Sequence, residues 1–392
     1  MNAEAIKDKV AIIGMGCTKF GEHWDKSVDD MLIEAVYEAY ADAGVEPKDV
    51  EAAWLGSVGS AFTGGTLATP LKLKYKPVTR VENACATGMD ALRNACFAVA
   101  CGLYDLVLVA GVEKLKDAGY GGLPEFYFHP VYGQGFTAPG RWALIAARYF
   151  QTYGIEPEEG KKALARIAVK NHRNGALSPK AHFQKEITLE QALSAPIIAW
   201  PLGLFDCCPT TDGAAAAIIC RADLAGSFKD DYVFIKGFGL AAGPGLGKED
   251  IDYRYDHLPE TEAVARQAYE AAGVRDPRRE ISVAQVHDCF TIAELIEYEA
   301  LGFCARGKAV AEVAAGAFTL EGELPVNTDG GLKAFGHPLG ATGLRMCNEL
   351  YLQLRGKAGP RQVKNPTLGL AMAQGGHPGM LLSVVTILGC RD

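Results

Sequence analysis

The sequence predicts an alternating α/β protein in which two matching halves pack into α-β-α-β-α layers. The stretch NACATG at 83–88 is echoed by GATG at 340–343, so a similar small-residue turn opens two helix-like segments. The segment AYADAGV at 39–45 recurs as AYEAAGV at 268–274. The 45 glycines suit the tight strand-to-helix turns of such a fold. A chain of 392 residues is long enough for two domain-sized halves.

The first half begins with a strand, a helix and a second strand. Residues 10–16 form an apolar run that predicts a buried strand, and 50–58 predict the next one. Between them, residues 28–43 have the spacing of an amphipathic helix, which ends at Gly44 as a C-terminal cap. The apolar positions of this helix are Met31, Leu32, Ala35, Val36 and Ala39.

The second half repeats this order. Residues 232–239 predict a strand, 261–272 a helix ending at Gly273, and 281–286 the strand that follows. A helix-bearing half of this kind leaves one helix face uncovered when it is alone. We therefore expect the two halves to pack together.

Two further features complete the expected layers. The strand at 106–111 is interpreted as the counterpart of 381–388, because both are continuous apolar runs typical of strands buried on both faces. The helices opened by Cys85 and by Thr342 are expected at the centre. The first of them is rich in alanine, leucine and cysteine, as a helix buried all round should be.

The repeat suggests three parts of the chain. Residues 1–114 are assigned to the first half and 231–392 to the second. Residues 115–230 are interpreted as an inserted loop domain, of which 207–219 return to the first half. The aromatic-rich insert at 120–142 is too apolar for a linker. It is expected either to cover the active site and line a pocket or to form an aromatic subunit interface.

Composition and charge exclude some functions. A net charge of −8 argues against nucleic acid as a main partner. An anionic substrate needs only a local basic patch, and one set of cations could form it unless it is a solvated helix face. The set is Lys161, Lys162, Arg166, Lys170, Arg173 and Lys180.

The cysteines and the N-terminus bear on location. Eleven cysteines without a CxxC pair indicate a reducing compartment and no zinc ribbon. The N-terminus has no apolar signal core, and no apolar run is long enough to span a bilayer. We therefore expect a cytoplasmic protein without membrane partners.

The two matching turns carry a thiol and an imidazole. Cys85 directly precedes a helix, whose free N–H groups and dipole are expected to lower the pKa of the thiol. His337 lies in the loop before the second turn. Such a pair suggests a nucleophile and its base, although a lone cysteine here could also be a buried structural residue.

Two other segments are candidates for the site. The sequence HDCF at 287–290 follows a predicted strand, at the edge where α/β sites collect. Zinc is an alternative reading of His287 and Cys289, but no second ligand lies at metal-site spacing, so no metal is expected. The GGHPG turn at 375–379 is flexible enough to bring backbone N–H groups close to a reacting oxygen.

With these motifs the chain resembles the thiolase superfamily, and more closely its sterol-carrier-protein-X/archaeal type. The matching segments are NACATG around Cys85, HDCF at 287–290, GHPLGATG at 336–343, the terminal GGxPG at 375–379 and KNHRNGA at 170–176. The resemblance covers essentially the whole chain. It implies the five-layer thiolase fold, a tight homodimer, acyl-CoA substrates, and coenzyme A as co-substrate with no permanently bound cofactor.

The resemblance also implies roles for individual residues. Cys85 corresponds to the acylated nucleophile, His337 to its base, and His287 to part of an oxyanion hole. Ordinary thiolases have a second catalytic cysteine in a Cys-x-Gly motif, but residues 371–376 contain no thiol. In this type the cysteine of HDCF takes that role, so Cys289 is the acid/base candidate.

Backbone and substrate contacts follow from the same resemblance. The backbone N–H groups of Cys85, Gly375 and Gly376 are the expected oxyanion donors. The candidate substrate-binding side chains form a separate set. They are Lys170, Arg173, Phe290 and Phe335.

The predicted reaction is thiolysis of a 3-oxoacyl-CoA, or the reverse Claisen condensation, through acyl-Cys85. Acetoacetyl-CoA is the default substrate. One alternative is a bulky or aryl 3-oxoacyl-CoA such as benzoylsuccinyl-CoA, with a small zinc-ribbon/OB-fold (DUF35-like) protein as partner. Another is an acyl-CoA carrier or scaffold subunit with little activity. Thiolase-like aldolases tend to lose the nucleophilic cysteine, whereas this chain keeps it.

Overall fold

A computed structural model describes residues 6–118, 137–244 and 252–390 of the chain. The long strands are apolar and almost wholly buried, as the continuous hydrophobic runs of the sequence require. The described strands are β1 Val10–Cys17, β2 Ala52–Gly56, β3 Val78–Val81, β4 Leu106–Glu113, β5 Ile197–Ala199, β6 Leu202–Gly203, β7 Gly213–Arg221, β8 Val233–Ala242, β9 Val283–Gln285, β10 Leu368–Gly375 and β11 Leu382–Gly389.

The helices begin and end at the residues that favour such ends. Ser27 caps α1 in a reciprocal box with Asp30, and Gly44 closes the helix at φ 70°. Gly273 ends α7 in the same way at φ 82°. The described helices are α1 Val28–Ala43, α2 Gly65–Ala68, α3 Thr87–Ala100, α4 Ala138–Tyr153, α5 Pro157–Ala176, α6 Leu189–Ser194, α7 Pro259–Ala272, α8 Pro277–Glu280, α9 Thr291–Ala300, α10 Ala309–Ala314, α11 Gly331–Ala334 and α12 Leu339–Leu354.

The strand order repeats between the halves. Nine strands follow the order β3-β2-β4-β7-β1-β8-β11-β10-β9, and β1 joins β8 through only two residue pairs. In the first half β4 is parallel to β2 and antiparallel to β7. In the second half β10 is parallel to β9 and antiparallel to β11. The predicted duplication is therefore present in the topology.

One predicted correspondence is wrong. The strand at 106–111 lies in β4, and its place is repeated by β10 rather than by the run at 381–388, which lies in β11. The strand that β11 repeats is β7. Hydrophobic composition could not distinguish these strands, because β10 and β11 are both buried along nearly their whole length.

The helices form three layers around the two parts of the sheet. Helix α1 packs on β1, β4 and β7, and α7 packs on β8 and β11. Helices α3 and α12 pack against each other and contact strands of both halves. These are the helices opened by the two matching turns, so the predicted five-layer α-β-α-β-α fold is confirmed.

Glycines allow the two central helices to meet at their first turns. A Cβ added to Gly88 would lie 2.4 Å from the carbonyl oxygen of Gly340, and one on Gly111 would lie 2.1 Å from the same oxygen. A Cβ on Gly340 would lie 2.6 Å from the carbonyl oxygen of Gly56. This close backbone contact brings the loop before α12 against the loop before α3.

The segment between the halves supplies α4, α5 and α6, and the small β5-β6 sheet. Strand β7 follows and lies between β4 and β1. Most of the aromatic insert expected at 120–142 lies outside the described residues. Trp142 at its end is buried in the main core. Within the described ranges, the helices lack the length and apolar character needed to cross a membrane.

The substitution Gly111→Ala is expected to lower the free energy of unfolding by about 3 kcal/mol, because its Cβ would overlap the backbone of α12. Gly226→Ala is the matched control, since a Cβ there meets nothing within 4 Å. Urea denaturation followed by circular dichroism measures both variants. Equal stability of the two would contradict the close contact.

Candidate active site

A tight turn presents Cys85 just before α3. Ala84 has a left-handed backbone with φ 47°, an uncommon conformation for a residue with a Cβ. The hydroxyl of Thr87 donates to the carbonyl of Ala84 at 2.5 Å and accepts the backbone N–H of Asn83 at 2.8 Å. The turn thus holds the backbone of Cys85 in one orientation, and the residue remains partly exposed.

Three predicted residues come together at this turn. The sulfur of Cys85 and one ring nitrogen from each of His287 and His337 lie within 4.8 Å of one another. The two imidazole rings are nearly perpendicular, with centroids 5.1 Å apart. Residues from three distant segments therefore form one cluster at the centre of the molecule.

The hydrogen bonds of His337 indicate which ring nitrogen is free to accept a proton. Its Nδ1 lies 2.8 Å from the hydroxyl of Thr342, which donates its own hydrogen to the carbonyl of Pro338 at 3.0 Å. The hydroxyl oxygen must then accept from Nδ1–H, so this network assigns the neutral tautomer with an unprotonated Nε2. That Nε2 is buried without a hydrogen-bond partner. It is the proton acceptor available to Cys85.

The resting charge of the pair differs from the prediction. Burial, with the charge of Glu113 as a smaller cause, raises the pKa of Cys85 to about 12. Burial, with Arg345, lowers the pKa of His337 to about 3. Burial also lowers the pKa of His287. The expectation of a lowered thiol pKa is wrong, and at neutral pH the site holds a thiol beside neutral imidazoles.

Glu113 is an organising residue that the sequence did not reveal. Its buried carboxylate accepts the backbone N–H groups of residues 58, 59 and 60 at 2.8–2.9 Å. It also accepts the N–H of Gly340 at 3.1 Å, in the first turn of α12. One carboxylate thus connects the first half of the protein to the helix that follows His337.

Asp288 plays a similar part in the second half. Its carboxylate accepts the backbone N–H groups of Leu332 at 2.6 Å and Lys333 at 3.0 Å, and the side chain of Asn171 at 2.7 Å. Burial, together with the charge of Glu294, raises its pKa to about 7. The residue between His287 and Cys289 therefore anchors the segment that leads to His337.

Lys170 is not placed as the sequence suggested. Its side chain is buried, pairs with Glu294 and donates to the carbonyl of Val326 at 2.8 Å. The neighbouring Asn171 donates to Glu294 at 2.6 Å. The predicted substrate role of Lys170 is corrected, because its charge is already neutralised. The KNHRNGA segment instead stabilises the elements that carry the site through these contacts with Glu294 and Val326.

Other cations of the predicted basic patch also pair with nearby carboxylates. Arg173 pairs with Glu321 at 2.7 Å on the surface, although it lines a cavity of about 240 Å³ together with Arg166. The other lysines of the patch each contact a different carboxylate. These pairs are Lys161 with Asp206, Lys162 with Glu159, and Lys180 with Glu38.

The two candidate substrate-binding aromatics are both buried. Phe290 packs on Trp142 with ring centroids 6.0 Å apart. Phe335 lies against Phe20 at 5.0 Å and under the guanidinium of Arg345 at 5.1 Å. Phe290 directly follows Cys289, whereas Phe335 is engaged in the core.

Cys289 lies among other thiols. It is buried, and burial together with Cys208 and Cys85 raises its pKa well above the usual value. Its carbonyl accepts the backbone N–H of Cys208 at 2.9 Å. Cys208 could not be found from the sequence, because its neighbours carry no recognisable motif. Three thiols therefore surround the site.

The glycine turn closes the site from another side. A Cβ on Gly375 would lie 2.7 Å from the backbone nitrogen of Cys85, so the end of β10 touches the nucleophile turn. Gly376 has φ 93°, a conformation that favours glycine. Gly375 therefore lies beside the backbone of Cys85, and Gly376 follows it in the chain.

One cysteine and two histidines are also a donor set that zinc could use. Sequence spacing could not reveal this set, because Cys85, His287 and His337 come from separate segments.

Residues 10–223 match the family model described as "Thiolase, N-terminal domain", and residues 248–389 match "Thiolase C-terminal domain-like". The chain belongs to the thiolase superfamily. It is therefore an acyltransferase, and thiol chemistry is the reading that fits its cluster.

Individual relatives support the assignment. The thiolase chain is 38% identical to an acetyl-CoA acetyltransferase of Methanothermobacter thermautotrophicus, covering 94% of this chain and 97% of the relative. It is 34% identical to sterol carrier protein 2 of Oryctolagus cuniculus, covering 92% and 69%. The predicted resemblance is confirmed.

Solved structures agree on the fold. A structure described as "Ltp2-ChsH2(DUF35) aldolase" superposes with a TM-score of 0.84 at 28% identity, covering 98% of this chain and 99% of that one. An acetyl-CoA acetyltransferase from Syntrophomonas wolfei superposes with a TM-score of 0.69 at 19% identity, covering 97% and 98%.

The raised pKa of Cys85 predicts its reactivity. Since the thiolate fraction grows tenfold per pH unit below the pKa, the rate of iodoacetamide alkylation should rise with slope one from about pH 6 to 9.5. Peptide mass spectrometry follows Cys85, with the exposed Cys101 as internal reference. A plateau above about pH 7 would show a preformed thiolate–imidazolium pair and contradict the neutral resting state.

Proposed function

We propose that this thiolase cleaves 3-oxoacyl-CoA thioesters with coenzyme A, or forms them by the reverse Claisen condensation, through an acyl-Cys85 intermediate. The observation that carries the proposal is the convergence of Cys85, His287 and His337 within 4.8 Å. A nucleophile, a base with a free Nε2 and a further imidazole are the groups that acyl transfer needs.

In the first step His337 Nε2 accepts the proton of Cys85, and the thiolate attacks the ketone carbon C3 of the substrate. Negative charge then develops on the ketone oxygen. The backbone N–H groups of Cys85, Gly375 and Gly376 are proposed to stabilise charge on reacting oxygens together with His287. Because the resting thiol is neutral, proton transfer and attack are coupled.

Collapse of the tetrahedral intermediate breaks the C2–C3 bond. The acyl group stays on Cys85, and the electron pair of the broken bond forms an enolate on the departing thioester. Cys289 protonates C2 of this enolate, which releases the shortened acyl-CoA. Its high pKa suits this role, because a neutral thiol has a proton to give.

The second half returns the enzyme to its starting state. The Cys289 thiolate accepts the proton of coenzyme A, whose sulfur attacks the acyl-Cys85 thioester. The C–S bond to Cys85 breaks, and the protonated His337 returns the proton to Cys85. Coenzyme A thus acts as co-substrate, and no permanently bound cofactor enters these steps.

The default substrate is acetoacetyl-CoA, supported by the names of the 38% identical relatives. A bulky or aryl 3-oxoacyl-CoA such as benzoylsuccinyl-CoA is the second candidate. The Ltp2-ChsH2 likeness supports a zinc-ribbon/OB-fold partner of the DUF35 type. We propose a cytoplasmic homodimer as the working enzyme, in keeping with the unpaired cysteines.

Two other activities are separated by the same assays. A carrier or scaffold subunit would bind acyl-CoA without turnover. An aldolase would cleave a β-hydroxyacyl-CoA without forming acyl-Cys85. The intact thiol–imidazole cluster favours thiolysis over both.

Cys85→Ser should reduce thiolysis of acetoacetyl-CoA by about 10³-fold or more, because serine is a far weaker nucleophile at a position of nearly equal shape. Circular dichroism and the thermal midpoint should remain those of the wild type. Cys304→Ala provides a control for the loss of a partly buried thiol elsewhere. Unchanged thiolysis in Cys85→Ser would remove Cys85 from the mechanism.

Cys289→Ala should slow α-proton exchange of acetyl-CoA by about 10²-fold or more, because the proton-transfer group is lost. Acylation of Cys85 by acetyl-CoA should persist. Exchange is measured by deuterium incorporation from D2O, with Cys208→Ala as the control for a neighbouring thiol. Wild-type exchange in Cys289→Ala, or loss only in Cys208→Ala, would reassign the proton relay.

A further inference from the structure

Lys333 is a buried cation without a partner among the described residues. It lies in α11, four positions before His337, and its side chain is 2% exposed. Its backbone N–H donates to Asp288, but its ammonium has neither a hydrogen bond nor a carboxylate at ion-pair distance in the described part of the chain. Buried charges are ordinarily paired.

The carboxylates whose charge reaches Lys333 are already engaged. Asp206 pairs with Lys161, accepts the N–H of Gly203 at 2.7 Å and accepts the hydroxyl of Thr291 at 2.9 Å. Asp288 accepts two backbone N–H groups and Asn171. Neither offers a contact to the ammonium of Lys333.

The remaining titratable neighbours are neutral. Burial raises the pKa of Cys207 to about 12 and raises that of Cys208 further. Burial and the charge of Lys333 lower the pKa of His172 to about 4. These groups do not supply the missing negative charge, so the surroundings of Lys333 favour an anion from outside the chain.

The surroundings of Lys333 adjoin the reacting groups. Lys333 lowers the pKa of Cys208 and Cys85 raises it, so Cys208 lies near both residues. Its backbone N–H binds the carbonyl of Cys289. Asp288, which anchors the backbone of Lys333, lies between His287 and Cys289 in the sequence. The ammonium is therefore on the side of the site formed by Cys208 and Cys289.

We propose that Lys333 binds a carboxylate carried by the acyl part of the substrate, so that the preferred substrates are 3-oxoacyl-CoA thioesters with an additional carboxylate. The inference rests on the proposed thiolase function and names its substrate class. A site with a buried unpaired cation discriminates against substrates that leave it unpaired. The phosphates of coenzyme A are common to every acyl-CoA, so they cannot produce a preference for a carboxylated acyl group.

The test compares Lys333→Met with the wild type on three substrates. Acetoacetyl-CoA has no carboxylate, 3-oxoadipyl-CoA has one at the distal end, and benzoylsuccinyl-CoA has one on the α-carbon substituent. Lys48→Met is the matched control, because Lys48 is highly exposed. The two carboxylated substrates show at which end of the acyl group the carboxylate binds.

In the wild type, kcat/KM for at least one carboxylated substrate should exceed that for acetoacetyl-CoA. In Lys333→Met this preference should fall by about 50-fold or more, since a charged hydrogen bond is lost. Lys48→Met should keep the wild-type preference. The thermal midpoint of Lys333→Met should not fall, because an unpaired buried charge has been removed.

Different results would overturn the inference. A wild-type preference for acetoacetyl-CoA over both carboxylated substrates would exclude the carboxylate site. An equal loss on all three substrates, with a lower thermal midpoint, would make Lys333 a structural residue. Failure of the wild type to cleave any 3-oxoacyl-CoA would instead contradict the proposed thiolase function.

Discussion

The carboxylate of Glu113 holds together the two segments on which the site depends. It accepts three backbone N–H groups from the turn after β2 and one from the first turn of α12. Its removal would leave these donors without their acceptor, at a cost of about 1–3 kcal/mol for each one buried. The glycine contacts at Gly88, Gly111 and Gly340 allow the backbones to come close enough for this bond set. The geometry of Cys85 and His337 follows from that contact.

The same interaction influences the chemistry. A negative charge close to Cys85 opposes ionisation of the thiol and adds to the larger effect of burial. The thiol of Cys85 is therefore protonated at rest, and in the proposed mechanism His337 accepts its proton during attack. Asp288 holds the second-half side of the cluster in place, since it connects the HDCF segment with the backbone of Leu332 and Lys333. Both carboxylates are organising groups, and Glu113 lies outside the quoted motifs whereas Asp288 is part of HDCF.

The sequence was sufficient for the fold and for the convergence of Cys85, His287 and His337. Helix α1 has the predicted bounds, because its apolar spacing and its glycine stop agree. The two matching turns correctly indicated the central helices and the meeting of Cys85 with His337. The strand of the second half that repeats β4 was predicted wrongly. The sequence of a fully apolar strand does not indicate which strands lie beside it.

The charge states of side chains and their ion-pair partners were less predictable from the sequence than the positions of the residues in the fold. The pKa of Cys85 was expected to fall because the helix dipole is visible in the sequence, whereas burial and Glu113 become visible only in the folded chain. The sequence predicts a free cation at Lys170, whereas the structure pairs its ammonium with the carboxylate of Glu294. Lys333 showed the reverse, since only the structure reveals that a buried lysine has its neighbouring carboxylates bound elsewhere.

The central claim is that Cys85, and not a neighbouring thiol, carries the acyl group. The most direct measurement is peptide mass spectrometry of the wild-type enzyme quenched with acid after mixing with acetyl-CoA. Cys85 raises the pKa of Cys208 and of Cys289 and so lies near both, and the assignment needs fragment ions that separate Cys208 from Cys207. The account predicts a single acetyl group on Cys85. An acetyl group on Cys208 or Cys289, with Cys85 unmodified, would contradict it.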